Sequence, residues 1–312
     1  MKKVTVSVGI PVYNEVDNIN YLLESIIRQK HTSYILEKII VVCDGSTDGT
    51  DRKVKEKSKK NPAIVLVNDG KRKGKIARLE QLYNINESDI ITIFDGDVLL
   101  ANKQVLDNIV KNFKDKNVSF VGANSRPSAA EKIIEKVINT WSECWYETRR
   151  NYKNGENIFN VLSCSIALRK SFAKKISFPK GIISDGQIVY LSVVRDGFNF
   201  RFAKDALVLF RSEDNLKDYM LRLSRFNNDR KIQLANFGKW IDFEYKVPFN
   251  KKINGIFTVF RKKPILTILA IIFHYMTLYL SKNNKNKIKN TNSWEIISST
   301  KKPINSSKVR YA

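Results

Sequence analysis

The chain has 312 residues, of which 55 are lysine or arginine and 31 are aspartate or glutamate, giving a formal net charge of +24. This excess favours an anionic partner, and the lack of a helix-turn-helix, zinc-finger or RNP pattern makes acidic lipid a better choice than nucleic acid. The three cysteines are widely scattered, which excludes a disulfide framework or Cys-rich metal site and indicates a reducing compartment.

Strands and helices alternate through about the first hundred residues. Runs of apolar and β-branched residues predict buried strands, and the first segment between them carries apolar residues at helical spacing. The predicted strands cover residues 4–10, 39–42, 64–67 and 90–94, and predicted helices begin near residues 19, 52 and 76. This alternation predicts βαβ units, and therefore an α/β fold with a mostly parallel sheet and flanking helices.

A polar loop follows each predicted strand, at the edge of the sheet where open α/β folds bind ligands. Asp95 and Asp97 follow the fourth strand and can present oxygen ligands to a hard divalent cation that clamps a diphosphate. An Asp-Gly turn with solvated acids is the alternative. The other loops contain Pro11-Val12-Tyr13-Asn14-Glu15, Asp44-Gly45-Ser46-Thr47-Asp48-Gly49-Thr50 and Gly74-Lys75.

In their order and approximate spacing, these four motifs resemble those of family 2 glycosyltransferases. Each motif alone is weak, but the ordered set is specific. The resemblance implies a GT-A fold, which is Rossmann-like, and an inverting enzyme that uses a nucleotide-sugar donor. It continues more loosely to about residue 230.

The same resemblance implies which residues bind the donor. Asp44 is expected to accept a hydrogen bond from the uracil N–H, Asp95 to meet the ribose and the metal shell, and Asp97 to bind the metal. The metal, Mn²⁺ or Mg²⁺, would neutralise charge on the leaving nucleoside diphosphate. The other expected donor-site residues are Pro11, Tyr13 and Glu15 of the first loop, and Lys75 beside the diphosphate.

Structural alternatives to these roles stay open. Thr47 and Asp48 are suitable N-caps for the following helix. Glu15 can be a solvated acid favoured by the helix dipole near a helix start. The basic loop that ends at Lys75 can simply be solvated.

Asp185 is the candidate general base. The segment Ile182-Ile183-Ser184-Asp185-Gly186 resembles the acceptor-side acid motif of the family, with Ser184 in place of the usual glutamate. A base must lie within hydrogen-bond reach of the hydroxyl proton that it removes. The alternative is that Ser184 or Asp185 is the N-cap of a helix. If the acceptor is a phosphate that is already ionised, no base is needed.

The segment that begins at Arg222 resembles the Gln-x-x-Arg-Trp motif of polymer-forming members. Arg222 replaces the glutamine and Phe226 replaces the tryptophan, which puts processivity in doubt. Arg225 can still meet the diphosphate and Phe226 the acceptor sugar.

The C-terminal third predicts membrane contact. Residues 216–241 read as a basic amphipathic helix, and residues 264–280 form an apolar run at the lower limit for crossing a bilayer. This run can span the membrane, lie in its plane, or be a buried core helix. The expected divisions are a catalytic domain at 1–215, interface helices at 216–260, a membrane anchor at 261–281 and a basic, flexible tail at 282–312.

The sequence therefore predicts a metal-dependent hexosyltransferase at the cytoplasmic face of the cell membrane, acting in polysaccharide biosynthesis. It would move a sugar, with UDP as the expected nucleotide, to a lipid-linked or glycan acceptor. One alternative is a nucleotide-sugar pyrophosphorylase, although the glycine-rich nucleotide loop of such enzymes is absent after the first strand. A second alternative is a non-catalytic basic protein that binds membrane or nucleic acid.

Overall fold

The computed structural model describes residues 3–283 and 297–304, without the side chains of residues 225–228, 282 and 283. In this part of the chain the strands form one sheet in the order β3-β2-β1-β4-β7-β6-β8-β5. The strands are β1 Val4–Val12, β2 Tyr34–Cys43, β3 Ile64–Asn68, β4 Ile90–Phe94, β5 Val98–Leu100, β6 Val118–Pro127, β7 Ser165–Arg169 and β8 Asn199–Phe210.

Helices connect these strands and cover both faces of the sheet. Those preceding the C-terminal region are α1 Ile19–Ile27, α2 Thr50–Lys60, α3 Lys75–Ile85, α4 Val105–Val110, α5 Ile133–Arg150, α6 Lys170–Ala173 and α7 Asp185–Arg195. The C-terminal helices are α8 Leu216–Phe237, α9 Ile241–Glu244, α10 Phe249–Phe260 and α11 Pro264–Asn283, and a 3₁₀ helix follows at Ser298–Lys301.

The first half of the sheet is parallel, as predicted. Strand β1 pairs with β2 and β4, and β2 pairs with β3, all in parallel. Every residue of β4 is buried, because helices cover both sides of this strand. The second half is mixed, since β7 runs antiparallel to both of its neighbours, β4 and β6. The predicted α/β architecture with flanking helices is confirmed, with a less uniformly parallel sheet than the first hundred residues indicate.

The ends of β1, β2 and β4 bring the predicted loops to one edge. Val12 pairs with Cys43 at the last position of the β1–β2 ladder, and the N–H of Asp44 donates to the carbonyl oxygen of Val12 at 2.8 Å. Pro11 lies within β1, where it pairs with Val42, so the polar loop begins later than its motif indicates. Proline is tolerated here because the β1–β4 ladder ends at Gly9, so β1 has a partner strand on one side only at Pro11.

The C-terminal helices pack on the α/β part of the chain, mainly on α5. Helix α10 crosses α5 so closely that a Cβ at Gly255 would lie 2.1 Å from the Thr148 hydroxyl oxygen, which explains why glycine is required there. Helix α11 packs against α5 and α8. On α11, His274 stacks on Trp141 at 4.1 Å between ring centroids and shares a 2.8 Å hydrogen bond with the Tyr219 hydroxyl.

Part of the C-terminal tail also contacts the α/β part of the chain and α8. The predicted flexible tail, 282–312, includes residues 297–304, which the structure describes, whereas 284–296 and 305–312 lie outside the described residues. Ser299 and Ile304 are buried. Two side chains hold this segment in place. Arg211, between β8 and α8, donates to the Pro303 carbonyl oxygen, and Asp218 on α8 accepts from the Ser299 hydroxyl.

Candidate functional site

Acidic side chains converge where β4 ends. Asp95 follows the last residue of β4, and its N–H donates to the Cys164 carbonyl oxygen at 3.0 Å, which fixes the start of the Asp95-Gly96-Asp97 turn. Burial raises the pKa of Asp97, and the neighbouring Asp95 carboxylate raises it further. A Cβ at Gly96 would lie 2.7 Å from the Glu15 Cγ, so only glycine lets the first loop approach this turn.

Lys75 lies between two acidic side chains, those of Asp95 and Asp185. Its Nζ is 2.7 Å from Asp95 Oδ1 and 3.8 Å from Asp185 Oδ2, and only 11% of its side chain is exposed. Burial lowers the pKa of Lys75, but the carboxylates of Asp185 and Asp95 outweigh this effect and raise the pKa above its ordinary value. Lys75 is therefore a permanent cation held by carboxylates, and the alternative of a solvated loop lysine is wrong.

Asp44 holds the loop that carries Lys75. Its Oδ1 accepts hydrogen bonds from the N–H of Lys73 at 2.7 Å and from Arg78 Nε at 2.9 Å, and its Oδ2 accepts from the N–H of Gly74 at 3.0 Å. Gly74 has a φ of +89°, a conformation that glycine adopts at little cost. The buried Asp44 thus positions the start of α3, and its contact with a nucleotide base stays a prediction.

Glu15 belongs to the same acidic cluster. It is only 4% exposed, so the alternative of a solvated acid is wrong. Its Oε2 accepts a hydrogen bond from Asn18 Nδ2 at 3.1 Å, and its Oε1 accepts one from Lys301. Burial and the nearby Asp97 carboxylate raise the pKa of Glu15, and the Lys301 ammonium group opposes that rise.

Tyr13 forms an aromatic surface beside this cluster. The Arg72 guanidinium lies 3.9 Å from its ring centroid and donates to its hydroxyl at 3.2 Å. A ring and a guanidinium in this arrangement are suited to contact a planar base or an anionic group.

Asp185 is the first residue of α7 and is 1% exposed. Its Oδ2 is buried without a hydrogen-bond partner among the described residues. Neither Ser184 nor Asp185 caps α7 through its side chain, and the N–H of Gly186 donates to the Ser163 hydroxyl instead. Asp229 on α8 accepts from the N–H groups of Ile183 and Ser184 just before the helix. Burial raises the pKa of Asp185, and Lys75 partly opposes that rise. These observations weigh against the N-cap alternative.

Of the three site residues predicted on α8, only Arg222 has a described side chain. Arg222 pairs with Glu213 at 2.6 Å and lies over the Tyr219 ring at 4.9 Å, so its described contacts are with those residues. The side chains of Arg225 and Phe226 lie outside the described part of the chain. Their roles stay predictions.

Two groups of basic residues were missed by the sequence analysis. Lys301 meets Glu15 from 286 positions away in the chain, a distance that no local motif can reveal. The guanidinium groups of Arg126, at the end of β6, and of Arg149, on α5, both lie close to the ring of Tyr146. The polar residues Asn124, Ser125 and Arg126 at the end of β6 are a weak sequence signal of a functional site. The sequence around Arg149 on α5 gives no such signal.

The donor set fits a divalent metal. Asp95 and Asp97 supply carboxylate oxygens in a place where burial raises the pKa of Asp97, so a nearby cation would be favourable. The described residues contain no group of three or more His, Cys, Asp or Glu side chains arranged as a metal cage. Mg²⁺-type sites commonly use one or two carboxylates with substrate phosphates and water, so two aspartates are sufficient.

Comparisons with known proteins agree with this geometry. The chain is 26% identical over 210 residues to the glycosyltransferase AglE of Haloferax volcanii, and the match spans 65% of each protein, which is less than two thirds of that relative. The fold resembles mannosyltransferase PcManGT from Pyrobaculum calidifontis, solved with GDP-Man and Mn²⁺. That pair has a TM-score of 0.61 and 19% identity, covering 89% of this chain and 76% of the other.

The fold also resembles glucosyl-3-phosphoglycerate synthase from Mycobacterium tuberculosis, solved with Mn²⁺, UDP and phosphoglyceric acid. Here the TM-score is 0.53 and the identity 15%, covering 75% of this chain and 79% of the other. At these identities both likenesses concern the fold. The model of the family "Glycosyl transferase family 2" matches residues 7–175, which is more than half of the chain, and the chain belongs to that family.

Proposed function

We propose that the protein transfers a sugar, with inversion, from a nucleoside-diphosphate sugar to a lipid-linked acceptor at the cytoplasmic face of the membrane. The observation that carries the proposal is the convergence of Asp95, Asp97 and Asp185 around Lys75 at the carboxyl edge of the sheet, with Glu15 beside Asp97. UDP is the first nucleotide to test, and the Mn²⁺ complexes of the two similar structures support a divalent metal.

In this proposal Asp97 and Asp95 hold the metal, which neutralises charge on the leaving diphosphate when bound. Asp44 fixes the loop that leads to Lys75, and Lys75 holds the carboxylates of Asp95 and Asp185 close together. The acceptor oxygen bonds to the anomeric carbon from the face opposite the diphosphate, as the bond from that carbon to the diphosphate oxygen breaks. Asp185 accepts the proton that the acceptor hydroxyl loses.

An anionic group on the acceptor is supported by a pair of arginines. Arg126 lies 3.5 Å and Arg149 5.6 Å from the Tyr146 ring centroid. Arg149 is 7% exposed, its Nε is buried without a hydrogen-bond partner, and in the described part of the chain neither arginine is paired with a carboxylate. Burial, followed by the charge of Arg126, lowers the pKa of Arg149 to about 10.

Such an unpaired buried cation is destabilising unless an anion complements it. The arginine pair is connected to the sugar-transfer site, because Cys164 contacts Ser125 next to Arg126 through its thiol and binds the N–H of Asp95 through its carbonyl oxygen. A phosphate of a lipid-linked acceptor suits two guanidinium groups. We therefore place the acceptor phosphate at Arg126 and Arg149, and its hydroxyl at Asp185.

Membrane contact is supported by the outer faces of α10 and α11. Helix α11 is long and apolar enough to cross a membrane by length and composition. Its small, polar face, with Thr267, Ala270 and Thr277 fully buried, packs on the protein instead, while its apolar face is exposed. This division supports an orientation in the plane of the membrane. The exposed large apolar residues of these two helices are Phe249, Ile253, Phe257, Phe260, Ile265, Ile268, Leu269, Ile272, Tyr275, Met276 and Tyr279.

Asp97→Asn tests the metal site. We expect metal-dependent transfer to fall at least about a hundredfold, because the variant loses a charged ligand at the leaving group. Thermal stability should not fall, since the substitution removes a charge whose burial is unfavourable. The measurements are the transfer rate with Mn²⁺ and the melting temperature. Excess EDTA should reproduce the defect in the wild type, and full activity of either sample in EDTA would rule out the metal role.

Asp185→Asn tests the base. The variant cannot accept a proton, so we expect the transfer rate to fall by a factor of about 10² to 10⁴ with donor affinity unchanged. In the wild type, the rate should fall on acidification from above the usual aspartate range of about 4, because burial raises the pKa of Asp185. Near-normal transfer by Asp185→Asn would show that the acceptor oxygen is already ionised.

Arg149→Gln tests the acceptor phosphate. We expect the KM for a polyprenyl-phosphate-linked sugar to rise by at least about tenfold, because a charge-assisted contact is lost, with little change for a neutral alkyl glycoside. Arg150→Gln is the matched control, since Arg150 lies at the same 5.6 Å from the Tyr146 ring but pairs with Glu147. Equal effects of the two substitutions, or equal loss with both acceptors, would contradict this assignment.

The double substitution Ile265→Glu with Ile272→Glu tests the membrane face. We expect the partition coefficient onto anionic vesicles to fall at least about tenfold, because two apolar side chains are lost from the contact. Ile133→Glu is the control, because Ile133 is 76% exposed, close to the 74% of Ile265, but lies on α5. The measurement is vesicle flotation. Wild-type flotation of the double variant would mean that the protein attaches through another surface.

A further inference from the structure

Residues 297–304, which we call the C-terminal strap, bring a lysine into the acidic cluster. Lys301 Nζ donates to a carboxylate oxygen of Glu15 and to the carbonyl oxygen of Tyr13 at 3.2 Å. Its own carbonyl oxygen accepts from Asn18 Nδ2 at 2.7 Å, and the same amide group donates to Glu15. The strap therefore contacts the first donor loop through both its backbone and its side chain.

The strap is anchored on each side of Lys301. On one side, the N–H and the hydroxyl of Ser299 donate to Asp218 Oδ2 on α8, at 2.9 and 2.6 Å. On the other side, Lys302 Nζ lies 2.6 Å from Asp214 Oδ2. These contacts orient the strap so that adjacent lysines point to different acids, Lys301 to Glu15 and Lys302 to Asp214.

The charges around Lys301 are those that a metal would use. Burial lowers the pKa of Lys301, but Asp97 and Glu15, followed by Asp95, outweigh that effect and raise the pKa. The Glu15 side chain that Lys301 contacts packs against Gly96, between the two aspartates, so the ammonium group lies beside the Asp95-Gly96-Asp97 turn. A divalent cation bound there would be repelled by an ammonium group in the same cluster, and the two would divide the same negative charge.

We propose that Lys301 competes with the divalent cation for the Glu15 and Asp97 carboxylates, so that metal and nucleotide bind tightly only when the strap withdraws this side chain. The inference rests on the proposed role of Asp97 as a metal ligand. The strap is then an internal counter-cation that keeps the buried acids neutralised between turnovers and sets the metal concentration at which the enzyme loads its donor.

Lys301→Gln tests the competition, with Mn²⁺ alone as the probe and no donor present. We expect the Mn²⁺ dissociation constant, measured by electron paramagnetic resonance, to fall by on the order of tenfold, as for a typical coupling between two ligands. Lys302→Gln is the matched control with the same loss of charge. It should bind Mn²⁺ as the wild type does, because Asp214 keeps its second partner, Lys132, at 2.7 Å.

A second measurement follows the strap itself in the wild-type protein. Adding Mn²⁺ with UDP should speed amide hydrogen exchange at residues 297–304, because the ion pair of Lys301 with Glu15 is lost. Unchanged exchange on saturation, or Mn²⁺ binding by Lys301→Gln that is equal to or weaker than in the wild type, would overturn the inference.

The Asp97→Asn variant separates this inference from the proposed function. If Asp97→Asn does not weaken Mn²⁺ binding, the metal site itself is wrong. If Asp97→Asn does weaken it while Lys301→Gln behaves as the wild type, the metal site stands and only the role of the strap is wrong.

Discussion

The ammonium group of Lys75 holds together parts of the chain that are far apart in sequence. It reaches Asp95 at the end of β4 and approaches Asp185 at the start of α7. Without this cation, two largely buried carboxylates would repel each other in a region of low dielectric constant. The loop that positions Lys75 depends in turn on Asp44, whose carboxylate binds the backbone of that loop.

The balance of charge in the cluster also governs what can enter it. Burial raises the pKa of Glu15, Asp97 and Asp185, which means that each acid is more stable beside a cation than alone. The protein supplies two such cations, one in the donor loop and one in the C-terminal strap. A site of this kind favours cations.

Local patterns predicted the first half of the molecule well. The strands, the parallel pairing and the positions of Asp44, Asp95 and Asp97 follow from buried apolar runs that end in polar loops, because both features lie within a few residues of each other. The mixed second half was not predicted, since the antiparallel place of β7 between β4 and β6 depends on long-range pairing. The partners of Lys301 and Arg149 depend on tertiary contacts for the same reason.

Helix α8 makes two separate contacts, one near its N-terminus and one further along the helix. Near its N-terminus Asp218 binds Ser299, and within the helix Asp229 binds the N–H groups at the start of α7, next to Asp185. A helix is stiff over this length, so it cannot shift along its axis at one contact without shifting at the other. The mechanical connection between the C-terminal strap and Asp185 is therefore a single rigid helix, so a force on α11, which packs on that helix, would be transmitted to both.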